Sequence, residues 1–195
     1  MRQIRRVCVY CASSRQTDPS YAAAAGRLGK ALAREGITII FGGSSIGSML
    51  ALADAALAEG GRVVGVVPRF MYDMELAHTG LSELVLVNDL HERKSRMIEE
   101  VDAVVALPGG SGTFEELMEA ITWKRLGLYL NPIVIVNQNG FYEPMLQQFQ
   151  RAVDERFMDP RHLDIWTVVS DVDQVLDAIQ TAPDWDEEAR QFAAP

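Results

Sequence analysis

Short apolar runs alternate with helix-patterned stretches along the chain, and this alternation limits the fold more than any other feature. Residues 7–11, 37–41, 63–67, 84–87, 103–107, 133–137 and 166–169 are short apolar runs, most of them rich in β-branched or aromatic residues, and read as strands. In the first gap Tyr21, Ala24, Ala25, Leu28, Ala31 and Leu32 recur at helical spacing. Asp18-Pro19 offers an N-cap and a first-turn proline for that helix, and Gly36 ends it. Met49, Leu52, Ala53, Ala56 and Leu57 mark a second helix, stopped by Gly60-Gly61. Further helices are predicted over 89–101, 113–126, 142–153 and 172–179. Strands alternating with helices predict a parallel sheet covered on both faces. The runs are apolar throughout, as burial on both sides requires. The predicted architecture is a single-domain, Rossmann-like, doubly wound α/β fold over residues 1–182. An acidic tail, predicted to be mobile, follows over 183–195.

At 195 residues the chain can bury a core without disulfide or metal staples. Its 18 Lys+Arg and 27 Asp+Glu give a net charge of −9, which argues against a nucleic-acid or anionic-membrane binder. It does not exclude a small phosphorylated ligand, which needs only a local site. Cys8 and Cys11 fall within or just after the first strand, where small buried apolar residues are the better reading than a redox pair at a helix start. A reducing cytoplasm is the expected location. The basic start, Met1-Arg2-Gln3-Ile4-Arg5-Arg6, precedes too short an apolar run for a secretory signal. The longest uncharged stretch, 36–53, is broken by glycines and serines, so no membrane span is expected. His78, His91 and His162 are scattered, and no metal site or cofactor is expected.

Ligands of such sheets bind beyond the carboxyl ends of the strands. Three small, polar loops occupy that position: Ala12-Ser13-Ser14, residues 42–47, and residues 108–112. The last reads Pro108-Gly109-Gly110-Ser111-Gly112-Thr113 and runs into a helix. Backbone N–H groups and the positive end of a helix dipole make such a loop a phosphate site. It lacks the Gly-Lys-Ser/Thr ending of a Walker loop, and the second loop lacks Gly-x-Gly-x-x-Gly spacing. A monophosphate is therefore expected rather than a triphosphate or dinucleotide. Thr113 and Glu116 also have the spacing of a capping box, which would give Glu116 a purely structural task. Against that, Gly109, Gly110 and Gly112 suggest that a ligand approaches the backbone closely.

A second constellation, His91-Glu92-Arg93-Lys94-x-x-Met97, sits on a predicted helix. Such runs are commonly a solvated charged face. Arg93 stands out, because a fixed guanidinium can pair with a phosphate or a carboxylate.

At these two motifs the sequence resembles the LOG family, the cytokinin riboside 5′-monophosphate phosphoribohydrolases, often mislabelled as lysine decarboxylases. Pro108, Gly109, Gly110, Gly112, Thr113 and Glu116 match the family's Pro-Gly-Gly-x-Gly-Thr-x-x-Glu motif, and Glu92, Arg93, Lys94 and Met97 match its Glu-Arg-Lys-x-x-Met motif. Cys11 to Ser14, Gly42-Gly43, Gly60-Gly61, Glu75, His78, Ile121-Thr122-Trp123 and Leu126-Gly127 extend the resemblance over roughly residues 6–180. Departures lie at Ser44, where the family has glycine, at Leu50, and at Ser111, where an aromatic is usual. They bear on the shape of the base pocket.

The resemblance implies hydrolysis of the N-glycosidic bond of AMP or an N6-prenylated AMP, releasing a free base and ribose 5-phosphate. It implies Arg93 and Glu116 as catalytic residues. Ser13, Gly43, Glu75, Lys94, Gly109, Gly110, Ser111, Gly112 and Thr113 would bind the phosphate, ribose or base. It also implies a homodimer or larger homo-oligomer; Trp123, Leu126, Leu128 and Tyr129 are candidate contacts, with core packing as the alternative. A lysine decarboxylase would need a Schiff-base lysine for pyridoxal phosphate, and of Lys30, Lys94 and Lys124 only Lys94 is near the expected pocket. The alternatives are a non-catalytic nucleotide-binding or sensing module on the same fold, and a nucleoside-monophosphate nucleosidase of other base preference.

Overall fold

A computed structural model describes residues 2–74 and 76–193. Among the described residues seven strands form one sheet: β1 Arg6–Tyr10, β2 Thr38–Phe41, β3 Val63–Pro68, β4 Glu83–Val87, β5 Ala103–Ala106, β6 Ile133–Val136 and β7 Thr167–Val169. Each lies within a residue or two of the run that predicts it. Every pairing is parallel, in the order β4-β3-β2-β1-β5-β6-β7. The chain winds outward from β1 to β4, then returns to place β5 on the other side of β1. That reversal leaves a crevice at the carboxyl ends of β1 and β5, where α/β sheets bind ligands.

The α-helices are α1 Pro19–Arg34, α2 Gly47–Ala58, α3 Arg69–Asp73, α4 Leu90–Ile98, α5 Ser111–Arg125, α6 Glu143–Asp154 and α7 Val175–Thr181. The pleat of the strands sorts the apolar runs into two cores. Val7, Val9, Ile39, Phe41 and Val105 face one layer, with Leu28, Leu32, Leu52, Val175 and Ile179 from α1, α2 and α7. Cys8, Tyr10, Ile40, Val104 and Ala106 face the other, with Met97, Leu117 and Ile121 from α4 and α5. Each fully buried Leu or Ile is worth about 2 kcal/mol in area removed from water. Cys8 and Cys11 are both buried free thiols.

Asp18 caps α1, accepting from the Ser20 N–H at 2.9 Å, with Pro19 in the first turn. The short α3 follows directly on β3 and buries none of its side chains. No sequence signal marks it, because its apolar residues, Phe70, Met71 and Tyr72, do not face the core. Among the described residues no helix is long and apolar enough to cross a membrane.

Within the acidic segment 183–195, of which residues 183–193 are described, Trp185 and Arg190 bond to the carboxyl end of α5. Trp185 Nε1–H donates to the Lys124 carbonyl at 2.8 Å, and Arg190 donates to the Leu126 and Gly127 carbonyls at 3.2 Å each. A helix end leaves its last carbonyls without intrahelical donors, and these contacts supply some.

Candidate active site

The Glu92-Arg93-Lys94 run opens α4 and sends its three side chains in three directions. Asp89 caps the helix through the His91 and Glu92 N–H groups. Glu92 turns back, its carboxylate accepting from the Asn88 backbone and side-chain N–H groups at 2.8 Å each. Arg93 points inward to the switch point. Its Nε–H donates to the Val66 carbonyl at 3.1 Å and its Nη2–H to the Gly42 carbonyl at 3.2 Å. Its Nη1 lies 3.2 Å from Glu116 Oε1. One guanidinium thus ties the carboxyl ends of β2 and β3 to α5, leaving further N–H donors free. Lys94 turns to two other carboxylates of α5, with its Nζ 2.9 Å from Glu115 and 3.4 Å from Glu119.

The glycine loop after β5 enters α5 with Gly110 at the N-cap and no side chain capping it. Thr113 is therefore the third helical residue, and Glu116 is committed to Arg93. The Thr113–Glu116 capping box does not form. Thr113 instead folds over Gly109, where a Cβ would stand 2.2 Å from the Thr113 hydroxyl oxygen. At Gly110 and Gly112 a Cβ would meet nothing within 4 Å. The first N–H groups of α5 have no intrahelical acceptor and carry the positive end of its dipole.

These elements enclose a cavity of about 610 Å³. Ser13, Gly42, Arg93, Gly110, Ser111, Gly112, Thr113 and Glu116 line it, so one space holds the β1, β2 and β5 loops and both motif residues. Phe70, Met71, Met49 and Leu90 add an apolar wall, and Cys11, Ala12, Ser44 and Glu115 complete the lining. Three expected binding residues take other positions. Lys94 is paired with Glu115 and Glu119 and does not itself line the cavity. Gly43, at φ +74°, backs onto β3, where a Cβ would come within 2.3 Å of Val67. Gly109 underlies Thr113. Glu75 lies outside the described residues. The apolar wall carries no signature in sequence, since Phe70 and Leu90 belong to no motif.

Glu116 is 4% exposed and Arg93 8%. Burial pushes the Glu116 carboxyl up to about 7, against the pull of Arg93, and Glu115 adds to the rise. The Cys11 thiol is pushed well up by burial and by Glu116, and stays protonated.

Fold and site together define a Rossmann-like α/β protein with a glycine loop and a buried carboxylate–guanidinium pair at its topological switch point. The chain belongs to the LOG family. The family model described as "Possible lysine decarboxylase" matches residues 49–179. The cytokinin riboside 5′-monophosphate phosphoribohydrolase of Rhodococcoides fascians is 40% identical over 178 residues, covering 91% of this chain and 90% of that protein. The phosphoribohydrolase LOG of Oryza sativa subsp. japonica is 43% identical over 157 residues, covering 80% of this chain. There the match spans 64% of the rice protein's length. Among solved structures, the molybdenum cofactor carrier protein of Chlamydomonas reinhardtii has a TM-score of 0.70 at 20% identity, covering 92% of this chain and 98% of that one. The molybdenum cofactor binding protein of Rippkaea orientalis has a TM-score of 0.69 at 19% identity, covering 92% and 97%. At these identities the likeness is one of fold.

The family model's description implies pyridoxal phosphate, and the lysines do not suit it. None of them lines the cavity. Lys30 is exposed on α1, Lys94 is held by Glu115 and Glu119, and Lys124 is buried at the far end of α5. Among the described residues no lysine amine is placed to form the Schiff base.

Proposed function

We propose that the protein hydrolyses the N-glycosidic bond of a nucleoside 5′-monophosphate, AMP or an N6-substituted AMP, to a free base and ribose 5-phosphate. The observation that carries this reading is the buried Glu116–Arg93 pair facing the same cavity as the glycine loop. Relatives at about 40% identity named for this reaction support it.

The 5′-phosphate sits on the first N–H groups of α5 and the Ser111 and Thr113 hydroxyls, anchoring the substrate by its non-reacting end. The base lies along Phe70, Met71, Met49 and Leu90. The ribose is then held over Glu116. As the C1′–N9 bond breaks, its electron pair leaves with the base and C1′ gains oxocarbenium character, as in glycoside cleavage. The Glu116 carboxylate stabilises that charge and takes a proton from the attacking water, whose oxygen bonds to C1′. The departing base takes up a proton from solvent. Arg93 fixes the carboxylate and favours its ionised form against the cost of burial. A binding module would need the loop alone; the Arg93–Glu116 pair favours an enzyme.

The reading carries with it a homodimer or larger homo-oligomer, for which Phe70, Tyr72, Met74 and Leu128 offer exposed apolar surface. It also carries a cytoplasmic location, suited to two free thiols. A panel of nucleoside monophosphates assayed for free base by chromatography tests the reaction and its base preference.

A further inference from the structure

The short helix α3 supplies Phe70 and Met71 to the wall of the cavity, yet it buries none of its own side chains. Apolar burial therefore does not hold it in place. Behind it lies a second cavity of about 900 Å³, lined by Tyr72 and Asp73 of α3 and by Ser45, His78 and Leu84. The helix is a partition with open space on both sides.

The stretch that follows, residues 76–80, reaches back to it through the Leu76 N–H, which donates to the Met71 carbonyl at 3.4 Å. This stretch lies antiparallel to the loop after β2, bridged at Ser44 and Ala77. The Ser45 N–H donates to the Leu76 carbonyl at 3.0 Å, and the His78 N–H donates to the Gly43 carbonyl at 2.8 Å. The imidazole of His78 locks the arrangement. Its Nδ1 accepts from the Gly80 N–H at 3.0 Å, so its Nε2 carries the proton and donates to Asp54 Oδ1 at 2.9 Å. Asp54 belongs to α2, whose Leu52, Ala53 and Ala56 are fully buried. One ring thus joins residues 76–80 to a helix of the core.

We propose that His78 is a positioning residue for base recognition. Through Asp54 it pins residues 76–80 to α2 and the β2 loop, and so holds Phe70 and Met71 as the wall against which the base lies. Arg93 and Glu116 are held by Val66, Gly42 and each other, so the sugar-phosphate end of the cavity does not depend on the pin. The role in base recognition rests on the nucleotide reading above; the pin itself does not.

The test compares the whole protein with His78→Ala, His78→Gln, which restores a donor toward Asp54, and Asp54→Ala, a change at an exposed position that leaves the core intact. To keep AMP from being consumed, binding of AMP and of ribose 5-phosphate is measured by calorimetry with Glu116→Gln added to each protein, and amide hydrogen exchange is followed at Ser45 and over residues 69–80. The expected result is AMP affinity lowered about tenfold in His78→Ala and Asp54→Ala with ribose 5-phosphate changed less than about twofold. His78→Gln recovers part of the AMP affinity, and exchange speeds up in both alanine variants. Equal loss of both ligands, or no loss of AMP affinity, overturns the role in base recognition. If the protein with Glu116→Gln alone binds neither ligand, the nucleotide reading fails, and exchange alone decides the pin: unchanged exchange in both alanine variants overturns it.

Discussion

Arg93 Nη1 lies 3.2 Å from Glu116 Oε1, and this contact joins α4 to α5 at the bottom of the cavity. A buried pair of this kind is costly to break, since removing one member leaves the other charged and unpaired. The desolvation needed to form the pair makes it a poor choice for stability alone and a reasonable one for chemistry.

Glu116→Gln keeps the volume and removes the charge. Turnover is expected to fall by about 10³-fold or more, while AMP affinity changes less than about tenfold, because the carboxylate acts on charge that develops only in the transition state. Glu116→Ala is expected to be equally inactive. Steady-state kinetics beside calorimetry checks the split; retained turnover would return Glu116 to a structural role.

Gly42→Ala tests the support of the pair. A Cβ there would stand 2.1 Å from Arg93 Nη2, and the guanidinium must leave its place. The obstacle is the end of a flexible side chain, so the backbone keeps its course, but breaking the buried pair lowers stability by about 3 kcal/mol. Displacing Arg93 releases Glu116, and turnover is expected to fall about 100-fold. Thermal unfolding and the AMP assay together separate the two effects.

The pH dependence follows from burial. The Glu116 carboxyl is raised from its ordinary 4.5 to about 7, and the reaction needs the carboxylate. Accordingly kcat/KM should rise with pH through about 7 and level off above it. A general acid would give the opposite slope. By linkage, the native state holds this proton more tightly than the unfolded chain, so stability falls as pH rises from 4.5 to about 7. That slope is expected to be absent in Glu116→Gln.

Lys94 belongs to the same motif as Arg93 but faces Glu115 and Glu119. Lys94→Met keeps the buried stem and removes only the ammonium. Its kcat/KM for AMP is expected to stay within about threefold of wild type, with a stability loss of about 1 kcal/mol. A large loss of activity would bring Lys94 into the site.

The sheet was legible because burial on both faces writes each strand as an unbroken apolar run, and glycines mark most of the gaps. Val7–Tyr10 sends alternate side chains to two separate cores, and neither could tolerate a polar residue. The glycine loop and Arg93 were legible as motifs. The direction of each motif side chain was not. Lys94 follows Arg93 in sequence, and the helix turns it about 100° away. The helix start was misplaced, because the Thr113–Glu116 spacing suits a capping box while α5 begins at Ser111. The wall formed by Phe70, Met71 and Leu90 could not be read at all. Phe70 and Met71 belong to α3, which buries no side chain and so follows no core-facing period, and Leu90 opens α4.

In the proposed reaction the Arg93–Glu116 pair cleaves a nucleotide held by the glycine loop. The most direct measurement is chromatographic detection of free adenine and ribose 5-phosphate from AMP, alongside N6-prenylated AMP, with the wild-type protein and Glu116→Gln. Equal amounts of base and sugar phosphate from the wild-type protein, and none from the variant, are predicted. Binding of both nucleotides without release of base from either would contradict the claim and leave a nucleotide-binding protein.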